Sequence, residues 1–293
     1  MQMEYKKSGR WKMNHFNDTY DITKAFQAIE EELIASMIRN LDRHRAEEEK
    51  EGYRWTQWQA EQLTALEEYK KRNEQRYGTV FSDISKTIPV LISMQRAAGH
   101  ADQEITLLKA ARDGPKFRKR SKTLATDGRF FKVNDRKINA LIDATKKDFD
   151  RAEHAMLRFT NDQYRKIIFN AQMYAATGAT YEKAVDMATK DFLSAGINCI
   201  EYKNGARHTI SDYCQMAIQT ANKRAYLTGE GELRQSMGIH TVILKKRPNA
   251  CPKCLKWVGK VLVDDVWSGG TAKEAEKSGY PLMSQAMAAG LYH

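Results

Sequence analysis

The sequence is poor in residues that break helices, and it lacks long apolar runs. Only 5 of its 293 residues are proline and 17 are glycine, which excludes collagen-like and Pro/Gly-rich classes. No stretch approaches the roughly 18 consecutive apolar residues of a transmembrane helix, so none is expected. The polar N-terminus also lacks the apolar core of a secretory signal. These absences predict a mainly helical protein that is made in a reducing cytosol and is not held in a membrane.

Cysteine is also scarce. The four cysteines are too few for a disulfide framework, and they are Cys199, Cys214, Cys251 and Cys254. Cys214 falls on the apolar face of a predicted helix and Cys199 in a predicted strand, so both are expected in the core. The close pair Cys251–Cys254 is instead typical of metal or redox chemistry.

Motifs of common enzymes are absent as well. The sequence contains no P-loop, no glycine-rich dinucleotide fingerprint, no nucleophile elbow and no HExxH zinc motif. Asp264 and Asp265 could bind a hard cation, but a strand end followed by a turn is the more ordinary interpretation. We therefore predict that the protein is not an enzyme. A metal-dependent hydrolase that uses Asp264 or Asp265 as its general base is the alternative.

What the chain does have is enough apolar material for a core and a large excess of positive charge. Hydrophobic residues make up 42% of the chain, and 48 Lys and Arg against 37 Asp and Glu give a net charge of +11. This balance favours anionic partners such as nucleic acid. The densest basic run lies in 115–137 and includes Lys116, Arg118, Lys119, Arg120 and Lys122. The run is either a phosphate-binding segment or a solvated loop.

Apolar side chains recur every three or four residues along most of the chain, which predicts helices. The predicted helices cover about 24–50, 55–77, 79–112, 138–156, 160–176, 180–194 and 209–228. The first two have the pattern of a long antiparallel hairpin. Within 79–112, Thr87 is predicted to cap a helix whose first turn holds Pro89. Gly229 is predicted to end the last one.

The pattern changes near residue 200, where glycine and asparagine punctuate shorter segments. Strands are predicted at 197–202, 240–246 and 260–264. The predicted fold class is therefore mainly α, with a smaller α+β C-terminal domain that carries a zinc-knuckle-like CxxC turn between short strands. We place the domain boundary so that 1–199 is a helical region and 200–293 is the α+β domain.

Cys251 and Cys254 have the spacing at which two thiolates converge on one tetrahedral zinc ion. Six Lys and Arg and no acidic residue lie in 240–262, and their field favours thiolates. One CxxC supplies only two of four ligands, and His293 or His240 could supply a third. A redox dithiol and a pair of inert thiols are the alternatives to zinc.

Three segments resemble the phage minor capsid protein 2 family, which is related to the minor head protein of phage Mu: Tyr213–Arg224, Asn249–Val261 and Gly290–His293. Related helices often carry Arg-Thr where this chain has Gln219-Thr220. The family's ending commonly continues His-Pro-Asn-Cys-x-His. By analogy the resemblance implies zinc at Cys251 and Cys254, with a fourth ligand either at that cysteine, beyond residue 293, or at His240.

The resemblance implies a structural role in the head of a tailed bacteriophage. The expected partners are the portal protein, the major capsid protein and packaged double-stranded DNA, with no membrane. The expected location is the virion, in the capsid interior or at the portal vertex, after synthesis in the host cytoplasm. The expected task is to assist head assembly and DNA packaging or delivery. The alternative is a zinc-knuckle nucleic-acid-binding protein that uses 115–137 as a phosphate-binding arm.

If the basic run binds DNA phosphates, changing its five clustered cations to glutamine should flatten the salt dependence of DNA binding. Every cation that no longer neutralises a phosphate should reduce the slope of log K against log salt by about 0.9. Fluorescence anisotropy with a DNA duplex at several salt concentrations measures that slope. An unchanged slope in the glutamine variant would place DNA binding elsewhere or nowhere.

Overall fold

The computed structural model describes residues 19–43, 55–113, 128–177, 181–195, 200–201, 207–245 and 250–291. These stretches contain eight helices and four short strands. In chain order they are α1 (Thr19–Arg43), α2 (Trp55–Asp113), α3 (Gly128–Ala176), α4 (Tyr181–Ala195), β1 (Ile200–Glu201), β2 (Arg207–His208), α5 (Ile210–Ser236), β3 (Thr241–Ile243), α6 (Pro252–Leu255), β4 (Val261–Val263), α7 (Ala272–Ser278) and α8 (Met283–Ala288). The fold is mainly helical, as the sequence predicts, and β3 and β4 form a small antiparallel sheet near the C-terminus. In the described part of the chain no helix is both long and apolar enough to cross a membrane.

Three helices are longer than the sequence predicts. α2 joins two predicted helices, and Pro89 lies inside it, because isoleucines buried at every fourth position continue one apolar face across the proline. Thr87 is therefore not a helix cap, and its hydroxyl donates to the carbonyl of Asp83 at 2.9 Å. α3 likewise joins two predicted helices. α5 continues past Gly229, so the prediction that this glycine ends the helix is wrong.

The chain forms two compact units, each built from two separate stretches. Unit 1 comprises 1–89 and 144–219, and unit 2 comprises 90–143 and 220–293. α2, α3 and α5 therefore each contribute residues to both units. The division at 199/200 into independently acting domains stays a prediction.

In unit 1, α1 and the first part of α2 form the predicted antiparallel hairpin. The ring of Phe26, early in α1, lies 5.6 Å from that of Phe81. Asn40, late in α1, accepts a hydrogen bond at 3.1 Å from Arg72, which precedes Phe81 in α2. Phe149 of α3 adds an edge-to-face contact with Phe26 at 5.5 Å. Aromatic burial of this kind is a large source of core stability.

Buried polar groups fix the register of the helices in unit 1. The hydroxyl of Tyr164 donates to Gln62 at 2.8 Å and accepts from Asn40 at 2.9 Å. Burial raises the pKa of Tyr164 to about 12. The hydroxyl of Tyr69 donates to the carbonyl of Leu33 at 2.6 Å. Because an unpaired buried polar group is costly, these pairs disfavour sliding of one helix along another.

The start of α5 is held by a buried carboxylate from α1. Glu30 accepts hydrogen bonds from the amide of Ile210 and from the hydroxyl of Ser211, both at 2.9 Å. Burial nevertheless raises the pKa of Glu30 above its usual value. The hydroxyl of Thr209, the residue before α5, accepts from the amide of Asp212 at 3.1 Å. Together these groups satisfy amides that the first turn of a helix leaves unpaired.

In unit 2, α2 and α5 touch backbone to backbone. A Cβ atom added at Gly99 would lie 2.0 Å from the carbonyl oxygen of Tyr226, and one added at Gly229 would lie 1.9 Å from that of Arg96. Neither position has room for a side chain. Gly229 is therefore required by a tertiary contact and not by a helix end.

A charged cluster accompanies this crossing. Arg96 donates through Nε to both carboxylate oxygens of Glu232 at 3.0 Å. Its Nη1 donates to Asp135 of α3 at 2.9 Å. Glu232 is buried, so the bidentate pair compensates a charge that would otherwise be desolvated without a partner.

We expect Gly229→Ala to destabilise unit 2. Alanine gains about 1 kcal/mol in helix propensity, but the added methyl group must force two backbones apart, which costs about 1–3 kcal/mol or more. Gly78→Ala is the matched control, because Gly78 also lies inside a long helix and has no atom within 4 Å of its added Cβ. That variant should be more stable than wild type by about 0.5–1 kcal/mol. Urea unfolding followed by circular dichroism measures both changes, and a Gly229→Ala protein as stable as Gly78→Ala would contradict the close crossing.

Candidate functional site

The CxxC motif lies between β3 and β4 of unit 2, near the two strands predicted on either side of it, and these strands pair antiparallel. Thr241 faces Val263 and Ile243 faces Val261 in the strand register. Beyond the strands, the amide of Gly259 donates to the carbonyl of Leu244 at 2.8 Å. The motif therefore belongs to a connection whose two ends are held together by the hairpin.

Cys251 is the N-cap of the short helix α6, and Pro252 occupies its first turn. The amide of Cys254 donates to Sγ of Cys251 at 3.4 Å. This hydrogen bond is the largest of the interactions that lower the pKa of the Cys251 thiol, and the Cys254 side chain and Lys253 act in the same direction. The turn thus favours a thiolate at Cys251.

The other side of the motif is apolar. Cys254 and Trp257 pack against a buried cluster formed by α8, β4 and a residue that follows α8 (Leu262, Met283, Ala286 and Leu291). The amide of Trp257 donates to the carbonyl of Cys254 at 3.0 Å. The α6 turn is therefore anchored on the core of unit 2.

The described residues supply two of the predicted metal ligands and do not bring a third to them. No group of three His, Cys, Asp or Glu side chains suited to a metal is found within these residues. His240 pairs through Nδ1 with Glu274 at 2.9 Å, an interaction that lowers the pKa of Glu274. His293 lies outside the described residues. Cys251 and Cys254 fit half of a zinc site in residue type, and the turn favours a thiolate at Cys251. The complete site stays a prediction.

Asp264 is buried at the end of β4, where it accepts four hydrogen bonds. They come from the amides of Val266 (3.2 Å) and Trp267 (2.9 Å), the hydroxyl of Ser268 (2.5 Å) and Nη2 of Arg234 (3.3 Å). Because two of these donors are backbone amides that follow Asp264, its carboxylate holds the turn after the strand in place. The ordinary interpretation of Asp264 is confirmed.

Asp265 has a similar structural role at the surface. Its carboxylate accepts from both the amide and the hydroxyl of Ser284, which lies in the first turn of α8. Both aspartates are thus engaged in holding the local structure.

Arg234 also connects elements of unit 2, and no pattern in the sequence predicts this role. Its guanidinium donates to Ser268 at 3.0 Å, to Gln103 of α2 at 3.0 Å and to Asp264. One side chain of α5 thus contacts both α2 and the turn after β4. Gly231 supports the same contact, because an added Cβ would lie 2.4 Å from the carbonyl oxygen of Trp267.

The predicted DNA-contacting cations fall outside the described residues: Lys116, Arg118, Lys119, Arg120 and Lys122. The C-terminal part of the 115–137 segment belongs to α3, which begins at Gly128. There, Lys137 donates to the carbonyl of Val266 at 3.1 Å and Asp135 pairs with Arg96. These two residues therefore have structural partners in unit 2.

Comparison with known proteins gives one family. The family model described as phage minor capsid protein 2 matches residues 13–293, a range that includes the CxxC hairpin and all eight described helices. No curated protein and no solved structure gives a match. Because the match covers almost the whole chain, it includes the N-terminal helices as well as the three segments that first indicated the resemblance. The chain belongs to the phage minor capsid protein 2 family and has a structural role in a phage capsid.

Proposed function

We propose that the protein is a minor head component that lies in the capsid interior or at the portal vertex. There it contacts the portal and major capsid proteins and assists head assembly and DNA packaging or delivery. The observation that carries the proposal is the family match over residues 13–293. The net charge of +11 is consistent with a position close to packaged DNA.

Exposed apolar side chains in unit 1 support contact with another capsid protein. Phe169 and Met173 of α3 are 59% and 57% exposed and lie four residues apart, on one face of the helix. Adjacent exposed aromatic and methionine side chains are typical of protein interfaces. Substituting these two side chains tests the contact with another capsid protein and leaves every helix in place.

In a phage that depends on a plasmid copy of this gene, wild-type protein should be found in purified heads. Phe169→Asp/Met173→Asp should reduce its incorporation severalfold, because two carboxylates would have to be desolvated at the interface. Lys70→Glu changes the net charge by the same amount at an exposed position of α2 and is the control. Quantitative mass spectrometry of heads measures the copy number, and circular dichroism verifies folding.

Absence of the wild-type protein from heads would overturn the head-component proposal. Normal incorporation of the Phe169 and Met173 variant would instead show that the contact surface lies elsewhere. The variant is preferable to deletion of 1–114, because such a deletion removes Arg96 and Gln103 and leaves the buried Glu232 without its partner.

Non-specific binding of DNA through the basic run is the second part of the proposal. The alternative, a zinc-knuckle nucleic-acid-binding protein, predicts that one duplex sequence is retained over others at high salt. A capsid protein that binds packaged DNA should instead bind all duplexes alike, with affinity set by phosphates. The salt titration of the five-glutamine variant measures this binding directly.

We further propose that Cys251 and Cys254 hold one structural zinc ion, with His293 as third ligand. The fourth ligand is a residue beyond 293, or His240 if it exchanges its pairing with Glu274 for the metal. The proposal is supported by the N-cap position of Cys251 and by the hydrogen bond that stabilises its thiolate. Zinc would supply a crosslink between the α6 turn and a distant part of the chain, which stabilises a domain with a small core.

Protein prepared without chelator should contain about one zinc ion per chain, and Cys251→Ser/Cys254→Ser should contain none. Because protons compete with zinc for the thiolates, acidification should release the metal. Because the pKa of Cys251 is lowered, its thiolate should keep the metal bound to a lower pH than an ordinary cysteine would. Cys214→Ala is the control, since Cys214 is buried in α5 and its replacement should leave the zinc content unchanged. Elemental analysis across a pH series measures the content, and wild-type protein without zinc at neutral pH would defeat the proposal.

A further inference from the structure

The part of α2 in unit 2 has two opposite faces. One face packs inside the unit and carries Ile92, Arg96, Gly99 and Gln103, of which the last three contact α5. The other face carries an apolar stripe of five exposed residues: Met94, Ala98, Ala101, Ile105 and Leu108. Met94, Ile105 and Leu108 are 58%, 50% and 63% exposed. The described residues thus leave an apolar helix face open directly opposite a tightly packed one.

The stripe has the spacing of a coiled-coil seam. Its members follow one another at intervals of four, three, four and three residues, the alternation of the d and a positions of a heptad. Ile105 occupies an a position and Leu108 the following d position. This combination, with a β-branched residue at a and leucine at d, favours two parallel helices. Ala98 and Ala101 allow close approach towards the middle of the stripe.

The charges beside the stripe also favour a parallel pair of identical helices. Glu104 occupies the g position and Lys109 the following e position, which face each other across a parallel, in-register coiled coil. Two copies would therefore form two Glu104–Lys109 ion pairs. Among the residues that the structure describes, neither side chain has an ion-pair partner of its own. An antiparallel pair would instead place e positions beside e positions and g beside g, which does not bring Glu104 to Lys109.

We propose that the stripe docks a second copy of this chain, α2 against α2 in parallel register. The stripe spans about 21 Å at 1.5 Å per residue, which is short for an isolated coiled coil. Here the helix is already ordered by its inner face, so association does not have to meet the entropic cost of folding it. The interface is therefore a modest one that becomes occupied at the high local concentration of an assembled head.

Sedimentation equilibrium of the purified full-length protein over a range of concentrations tests the proposal. Wild-type protein should be in monomer–dimer equilibrium. Ile105→Asp/Leu108→Asp should be monomeric with an unchanged circular dichroism spectrum, because both positions are exposed. If this variant misfolds, charge-changing variants of Glu104 and Lys109 test the proposal instead, since they alter only exposed polar side chains.

Glu104→Lys should weaken dimerisation about tenfold, because it turns two attractive pairs into repulsive ones. Lys109→Glu should do the same, and the double exchange should restore the wild-type dissociation constant. Glu276→Lys carries the same charge change as Glu104→Lys at an exposed position of α7 and should have no effect.

Three results would overturn the proposal. The first is a wild-type protein that stays monomeric at every concentration, as expected if another protein or another segment of this chain covers the stripe. The second is an oligomer that the Ile105 and Leu108 variant leaves intact. The third is a double exchange of Glu104 and Lys109 that associates no better than either single variant, which would show that the two side chains do not face each other.

Discussion

The close crossing of α2 and α5 constrains everything else in unit 2. Two glycines bring the backbones into contact, and this proximity lets side chains of α5 reach α2 directly. The bidentate pair of Arg96 with Glu232 and the bond from Arg234 to Gln103 both depend on that separation. A larger residue at either glycine would lengthen these hydrogen bonds as well as break the contact.

Buried carboxylates have the same structural role at several element ends. Glu30 holds the start of α5 and Asp264 forms the turn after β4. Each accepts backbone amides that would otherwise be unpaired away from water. A sulfur atom has the same role in the CxxC motif, because Sγ of Cys251 accepts a hydrogen bond from a backbone amide at the start of α6. A metal bound there would further stabilise a turn that hydrogen bonds within the chain already hold.

Sequence reasoning succeeds where the structure is decided locally. The spacing of apolar residues locates the helices, and alternation locates the two strands around the cysteines. It fails at Pro89 and Gly229, because their meaning depends on partners elsewhere in the chain. Pro89 is tolerated because buried isoleucines continue one apolar face of α2 across it, and Gly229 is needed for a contact with Arg96. The role of Arg234 is not predictable for the same reason, since its partner Gln103 lies 131 positions away.

The discontinuous make-up of unit 2 has a consequence for its synthesis. Arg96 and its partner Glu232 are 136 positions apart, so the ribosome must add all the intervening residues before the pair can form. At about 5–20 residues per second this takes roughly 10 s. During that interval the second part of α2 has neither its glycine contact nor its charge partner. Unit 2 is therefore completed only after α5 has been synthesised, and a chain that terminates early in α5 leaves that segment exposed to chaperones and proteases.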